Sequence, residues 1–213
     1  MATYGATFDI DRPERYDRIQ IAIRLLILIV LSILAGSMGW VHGLLYLGLP
    51  VVGAILISQK GAKQYFAESE QNVTLWLRYA IAFYAYMGLL TDKLPNEDPR
   101  QTLRFDVAPD GEPTPGNVLL RIITAIPHAI VLFFLGIVAV VLGIIAAIMI
   151  VVSETYPEGI FNFLRGYVRW QARVYAYMAG LVQEYPPFAL DTGSEAPAAP
   201  QLPAGGDPQP QAP

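Results

Sequence analysis

Two long uncharged stretches set the pattern of the chain. Residues 25–59 and 122–153 contain no Asp, Glu, Lys or Arg and are mostly apolar. The hydrocarbon core of a bilayer is about 30 Å thick and takes about twenty apolar residues of helix. At about 1.5 Å per residue, each stretch is longer than one crossing. The pattern therefore predicts a hairpin of two helices in each. In the first, Gly36, Ser37, Met38 and Gly39 supply the turn and Trp40 an aromatic interface anchor. In the second, Gly136 marks the break.

A further helix is expected after each hairpin, at about 72–92 and 158–184. In the second, Glu158, Asn162, Arg165, Arg169 and Arg173 fall in one narrow stripe at 100° per residue. Ile160, Phe163, Leu164, Tyr167, Trp170, Val174 and Met178 fall on the other side, with Gln171 the exception. An amphipathic helix of this kind suits the interfacial plane of a membrane. Residues 73–90 carry only Arg78 and are placed at the same interface. Between the units, Pro95, Pro99, Pro109, Pro113 and Pro115 mark a linker with one short extended stretch at 103–107. Residues 191–213, rich in Pro, Ala, Gly and Gln, read as a disordered tail.

Charge sharpens this reading. The chain is 54% hydrophobic and 15% charged, too little polar surface to cover a soluble globule. All 14 Lys and Arg lie outside the two apolar stretches. With a hairpin in each stretch, every basic residue falls on one side of the membrane. The positive-inside rule makes that side cytoplasmic, with both termini. The N-terminal residues carry Asp9, Asp11, Glu14 and Asp17 and do not read as a cleavable signal. The absence of cysteine excludes disulfides, thiolate metal sites and Cys nucleophiles. The acidic pI of about 5.1 disfavours nucleic-acid binding.

The chain also repeats itself. Phe8-Asp9-Ile10 resembles Phe105-Asp106-Val107, and at the same offset Arg24 matches Arg121 and Gly39 matches Gly136. At a slightly shorter offset Tyr84-Ala85-Tyr86-Met87 matches Tyr175-Ala176-Tyr177-Met178, Arg78 matches Arg169 and Pro95 matches Pro186. The expected fold is an all-α integral membrane protein with a tandem parallel repeat. Each unit has a short strand, a transmembrane hairpin, an interfacial amphipathic helix and a Pro stop. The units are 1–95 and 117–190, joined by the linker 96–116 and followed by the tail 191–213.

Tyr156-Pro157, Gly159, Phe161, Phe163, Gly166, Arg169-Trp170, Arg173, Tyr177 and Tyr185-Pro186-Pro187-Phe188, with Ala125-Ile126-Pro127-His128, carry a resemblance. The chain resembles a bacterial membrane family, the domain of unknown function 4389, over all but its tail. It departs from the family pattern where Asn162 stands in place of Asp, and where Gln183-Glu184 replace Thr-Asp; the first unit keeps Thr91-Asp92. The resemblance implies a fold and a membrane location but no activity.

Few residues invite chemistry. His42 and His128 are the only histidines, distant in sequence and without a nearby Cys or intramembrane carboxylate, so a structural role is expected rather than metal binding. Pro50 and Pro127 read as tolerated kinks. Arg165, Arg169 and Arg173, with Trp170, Tyr156 and Tyr185, are the candidate contacts to anionic lipid headgroups or a protein partner. No catalytic, cofactor or metal residue is assigned. The reading is a non-enzymatic inner-membrane scaffold or accessory subunit. Its alternatives are a small transporter or channel, possibly a homo-oligomer, and a lipid-modifying enzyme using Asp92 or Glu184.

Overall fold

The computed structural model describes residues 4–35, 38–95 and 98–191, with the side chains of 31–42 excepted. The turn expected at Gly36-Ser37, the side-chain roles of Met38, Trp40 and His42, and the tail beyond Asp191 lie outside the described residues. The fold is mostly helical. Its elements are β1 (Ala6–Asp9), α1 (Ile19–Ala35), α2 (Met38–Lys60), α3 (Ala62–Ser69), α4 (Val73–Met87), a 3-10 turn (Pro99–Gln101), β2 (Arg104–Val107), α5 (Pro115–Thr124), α6 (Ile126–Ser153) and α7 (Glu158–Met178).

The first apolar stretch forms two helices, α1 and α2. The second does not break at Gly136, which corrects the expectation of a hairpin there. Instead α6 runs unbroken for 28 residues. A glycine inside a helix costs only about 1 kcal/mol relative to alanine, too little to end an otherwise apolar helix. Gly136 instead makes room for a neighbour: a Cβ there would meet the Tyr167 hydroxyl at 2.9 Å. The actual break is at Ala125, between α5 and α6, and Pro127 occupies the first turn of α6. Proline is tolerated there because the first turn has no intrahelical acceptor for its missing N–H. Among the described residues, two helices, over Gly43–Lys60 and Ile126–Ser153, are long and apolar enough to cross a membrane.

The extended stretches pair. β1 and β2 form an antiparallel ribbon in which Phe8 faces Phe105, Thr7 faces Asp106 and Asp9 faces Arg104. All four residues of β1 are buried, because α7 covers it. Helix α7 is the centre of the molecule, touching α2, α4, α5, α6 and β1. Its Phe161, Leu164, Val168, Ala172, Tyr175 and Ala176 join Leu77, Ile81 and Ala85 of α4 in the main core.

Helices α4 and α7 end alike. The Leu90 amide reaches back to the Ala85 carbonyl at 2.8 Å, and the Leu181 amide to that of Ala176 at 3.1 Å. This is the 6→1 bond of a Schellman end, which needs a left-handed residue just before it. Leu89 (φ 64°) and Gly180 (φ 83°) supply it. Gly180 is also crowded, since a Cβ there would meet Val118 Cγ2 at 2.9 Å. Gly53 of α2 lets the Ala179 carbonyl approach to 2.7 Å of where its Cβ would stand.

Gly180→Ala and Gly53→Ala are each expected to destabilise the fold by about 1–3 kcal/mol, through left-handed strain at the first and overpacking at both. Gly48→Ala, in open space on α2, should be neutral or slightly stabilising. Thermal unfolding of the three variants in one detergent checks the order.

Candidate functional site

The arginine stripe of α7 turns inward. Arg169 is 1% exposed, and its guanidinium donates to the Phe8 carbonyl at 2.8 Å, the Asp191 carbonyl at 2.6 Å and the Asp9 carboxylate at 3.2 Å. Arg165 stands 3.6 Å from the same carboxylate and donates to Asn162 at 3.1 Å. Arg173, also buried, pairs with Asp191 at 2.7 Å. These three arginines, expected as contacts to lipid or a partner, are met in this structure by the Phe8 carbonyl, Asp9, Asn162 and Asp191. Burying a cation requires a fixed counter-charge or acceptor, and β1 with Asp191 supplies both.

Asp9 is the hub. It is 2% exposed and is also met by Arg104 at 3.1 Å, which grips Asp11 through both guanidinium arms at 2.9 and 3.0 Å. The Arg104 hydrogen bond holds the Asp11 carboxyl below its ordinary range.

The same contacts occur in the first half of the chain. Arg78 of α4 donates twice to the Phe105 carbonyl, at 3.0 and 2.7 Å, and stands 3.7 Å from Asp106. So Arg78 reaches β2 as Arg169 reaches β1, each helix gripping the strand of the other half. A second pair secures the helix ends. Arg24 donates to the carbonyls of Tyr86 (2.8 Å) and Thr91 (2.5 Å) and lies 4.4 Å over the Tyr86 ring. Arg121 donates to the carbonyls of Tyr177 and Val182 and lies 4.5 Å over the Tyr177 ring. Cations are favoured at these sites because helix C-terminal carbonyls carry partial negative charge. Burial pushes the Arg121 pKa down, and nearby Tyr177, Tyr4 and Asp110 oppose that shift.

The remaining expected contacts separate. Trp170 is buried and donates to His128 Nδ1 at 3.0 Å, giving that histidine the structural position expected of it. Tyr156 is buried between Tyr16 and Phe161, with its hydroxyl on the Gly88 carbonyl at 3.3 Å. Tyr185 alone of the set is exposed, at 40%, while its hydroxyl donates to the Thr124 carbonyl at 2.9 Å. Asp92 is committed to Arg24 at 3.1 Å and to the Asp17 amide at 2.7 Å. Among the described residues no group of three or more His, Asp and Glu is placed to hold a metal ion. The residues that sequence reasoning left without a role are Asp9, Arg24, Arg78 and Arg121. Their signal was present, since each matches a residue at a corresponding place in the other half of the sequence.

Residues 115–189 match the family model described as Domain of unknown function (DUF4389). That segment is a DUF4389 domain. No curated protein and no solved structure matches the chain. The DUF4389 segment takes in α5, α6 and α7 but stops short of both strands, although the resemblance read from the sequence reached into the first half. Arg169 therefore lies in the DUF4389 segment while its partners Phe8 and Asp9 lie outside it.

Arg169→Met strands a buried carboxylate and should cost about 3–5 kcal/mol, tempered by Arg165 and Arg104. Adding Asp9→Asn should restore part of that loss, and a double-mutant cycle measured by unfolding reads the coupling. Acid should also loosen the N-terminal residues. Hydrogen bonds from Arg104 and Arg15 hold the Asp11 and Glu154 pKa values down. A depressed carboxylate contributes stability above its unfolded pKa of about 4 and loses it as pH falls through the folded value. Amide exchange in residues 8–18 should therefore rise below about pH 4, and less so in Glu154→Gln.

Proposed function

We propose that the chain is a non-enzymatic membrane scaffold or accessory subunit, built as a tandem repeat and embedded by its apolar helices. Its charged layer would lie on the cytoplasmic side of a bacterial inner membrane, with both termini there, and meet a protein partner or lipid headgroups. The supporting observation is a segregated surface. Leu25, Leu26 and Ile29 of α1, Leu44, Leu47, Val52 and Ile55 of α2, and Phe133, Phe134, Val140 and Val152 of α6 are all exposed. A soluble monomer rarely exposes an apolar patch beyond a few hundred Å². The charged residues Asp11, Arg12, Glu14, Arg15, Asp17, Arg18, Arg100 and Arg104 are exposed elsewhere, on the N-terminal residues and around β2.

This reading places function in contact rather than catalysis. The arginines are occupied by strands and helix ends, so they hold the two halves together rather than offering a reactive group. The contact surface falls instead to the exposed charges of residues 11–18 and 98–106 and to Tyr185.

Mild detergent or polymer extraction of a tagged chain at native expression, with mass spectrometry of all retained protein and lipid, tests it. A stoichiometric partner is the expected result. A monomer that fractionates with soluble protein, or that retains neither partner nor preferred lipid, would overturn it.

A further inference from the structure

We infer that α6 lies in the plane of the membrane surface, seated in one leaflet, instead of crossing the bilayer or turning within it. This rests on the membrane reading above and concerns how the DUF4389 segment meets lipid.

Both flanks of α7 carry the argument. On one flank, residues 4–18 run antiparallel along the whole helix. Tyr4 donates to the Glu184 carbonyl at 3.1 Å, Phe8 accepts from Arg169 at 2.8 Å, Arg12 donates to the Tyr156 carbonyl at 3.3 Å, and the Tyr16 amide donates to Glu154 at 3.3 Å. This strap exposes Asp11, Arg12, Glu14, Arg15, Asp17 and Arg18. On the other flank lies α6, also antiparallel to α7. Trp170 bonds His128 near one end, and Tyr167 donates to the Leu132 carbonyl at 3.4 Å further along. At 100° per residue, Tyr167 and Val174 lie opposite Arg165 and Arg169 on α7.

The two ends of α6 lie near the two ends of the strap, whose Tyr4 holds Glu184 beside Tyr185. At its start Tyr185 bonds the Thr124 carbonyl, just before the helix. At its close Glu154 pairs with Arg15 and Arg18 of the strap. If α6 and α7 stood across a bilayer, the exposed Asp11–Arg104 pair, tied through Asp9 to Arg165 and Arg169 midway along α7, would be carried into hydrocarbon, where exposed ionisable groups are strongly disfavoured. Laid flat, α6 puts its apolar side in lipid and leaves the strap in water.

The helix surface agrees. The residues that α6 buries form one stripe: His128, Leu132, Ala139, Ala146 and Ile150. Directly opposite stand Ile130, Ile137, Val141 and Ile148, each more than half exposed. They cover about 27 Å of helix length. This occupant is an acyl-chain layer, because the face carries no ionisable side chain from end to end.

The chain has no cysteine, so single spin labels can be placed cleanly. The variants are Ile130→Cys, Ile137→Cys, Val141→Cys and Ile148→Cys, with Leu47→Cys in α2 as the membrane control. Each is labelled and reconstituted in phosphatidylcholine–phosphatidylglycerol vesicles. Oxygen and nickel collision rates give the depth of each label. All four α6 labels are expected at one depth, about 5–10 Å below the headgroup boundary. A steady change of depth approaching about 27 Å from Ile130 to Ile148 would mean a crossing helix and overturn the inference. Greatest depth at Ile137 and Val141 would mean a hairpin and overturn it equally. Labels on α6 shielded from lipid while Leu47 is in lipid would assign this face to a second copy or another protein, again overturning it. Leu47 and all four labels in water would defeat the membrane reading itself.

Discussion

A guanidinium taken out of water must find acceptors that cannot move away, and this chain meets that demand with its own backbone. Arg24 and Arg121 sit on the carbonyls that end α4 and α7. Arg78 and Arg169 sit on the carbonyls of Phe105 and Phe8 in the strand of the other half. The second exchange fixes the register of the ribbon, for Phe8 and Phe105 face each other in it. Loss of either strand would take from a buried arginine two of the hydrogen bonds that hold it, so neither half keeps its polar interior intact without the other. The strand, the helix that grips it and the helix end that is clamped form one linked arrangement.

Much of this was legible in the sequence. The extended stretches at 8–10 and 103–107, the helices near 72–92 and 158–184 and the division of the first apolar stretch all have counterparts in the fold. Hydrophobic period and turn residues carry those signals locally. The orientation of the arginine stripe was not legible. Periodicity says that Arg165, Arg169 and Arg173 share a face, but not what stands in front of it. That partner, residues 8 and 9, lies about 160 positions away in sequence. The matched pairs Arg24/Arg121 and Arg78/Arg169 in the two halves of the sequence were the better clue, since a cation at the same place in two similar segments points to a fixed acceptor.

The continuity of α6 was hidden for a different reason. A glycine between apolar runs reads alike whether it turns the chain or admits a neighbour. Tyr167 decides it, since its hydroxyl stands where a side chain at 136 would be. Length argued for two helices because a straight crossing uses about twenty residues. A helix of 28 residues is long for a crossing and unconstrained when it lies along a partner.

The two halves agree on the polar side and differ on the apolar side. Trp76 of α4 holds the place that Tyr167 holds in α7, yet Trp76 is 76% exposed while Tyr167 meets α6. Tyr79, likewise at the place of Trp170, is partly exposed where Trp170 is covered by His128. This division follows from the energetics of each surface. A buried charge tolerates few geometries, so a misplaced acceptor costs several kcal/mol (about 3–5 when a partner is lost). An apolar side chain in a hydrocarbon setting finds comparable contacts against a helix or against lipid, because there is little hydrophobic driving force between the two. The two halves thus differ where apolar side chains are exposed on one and covered on the other, and are alike where arginine meets backbone.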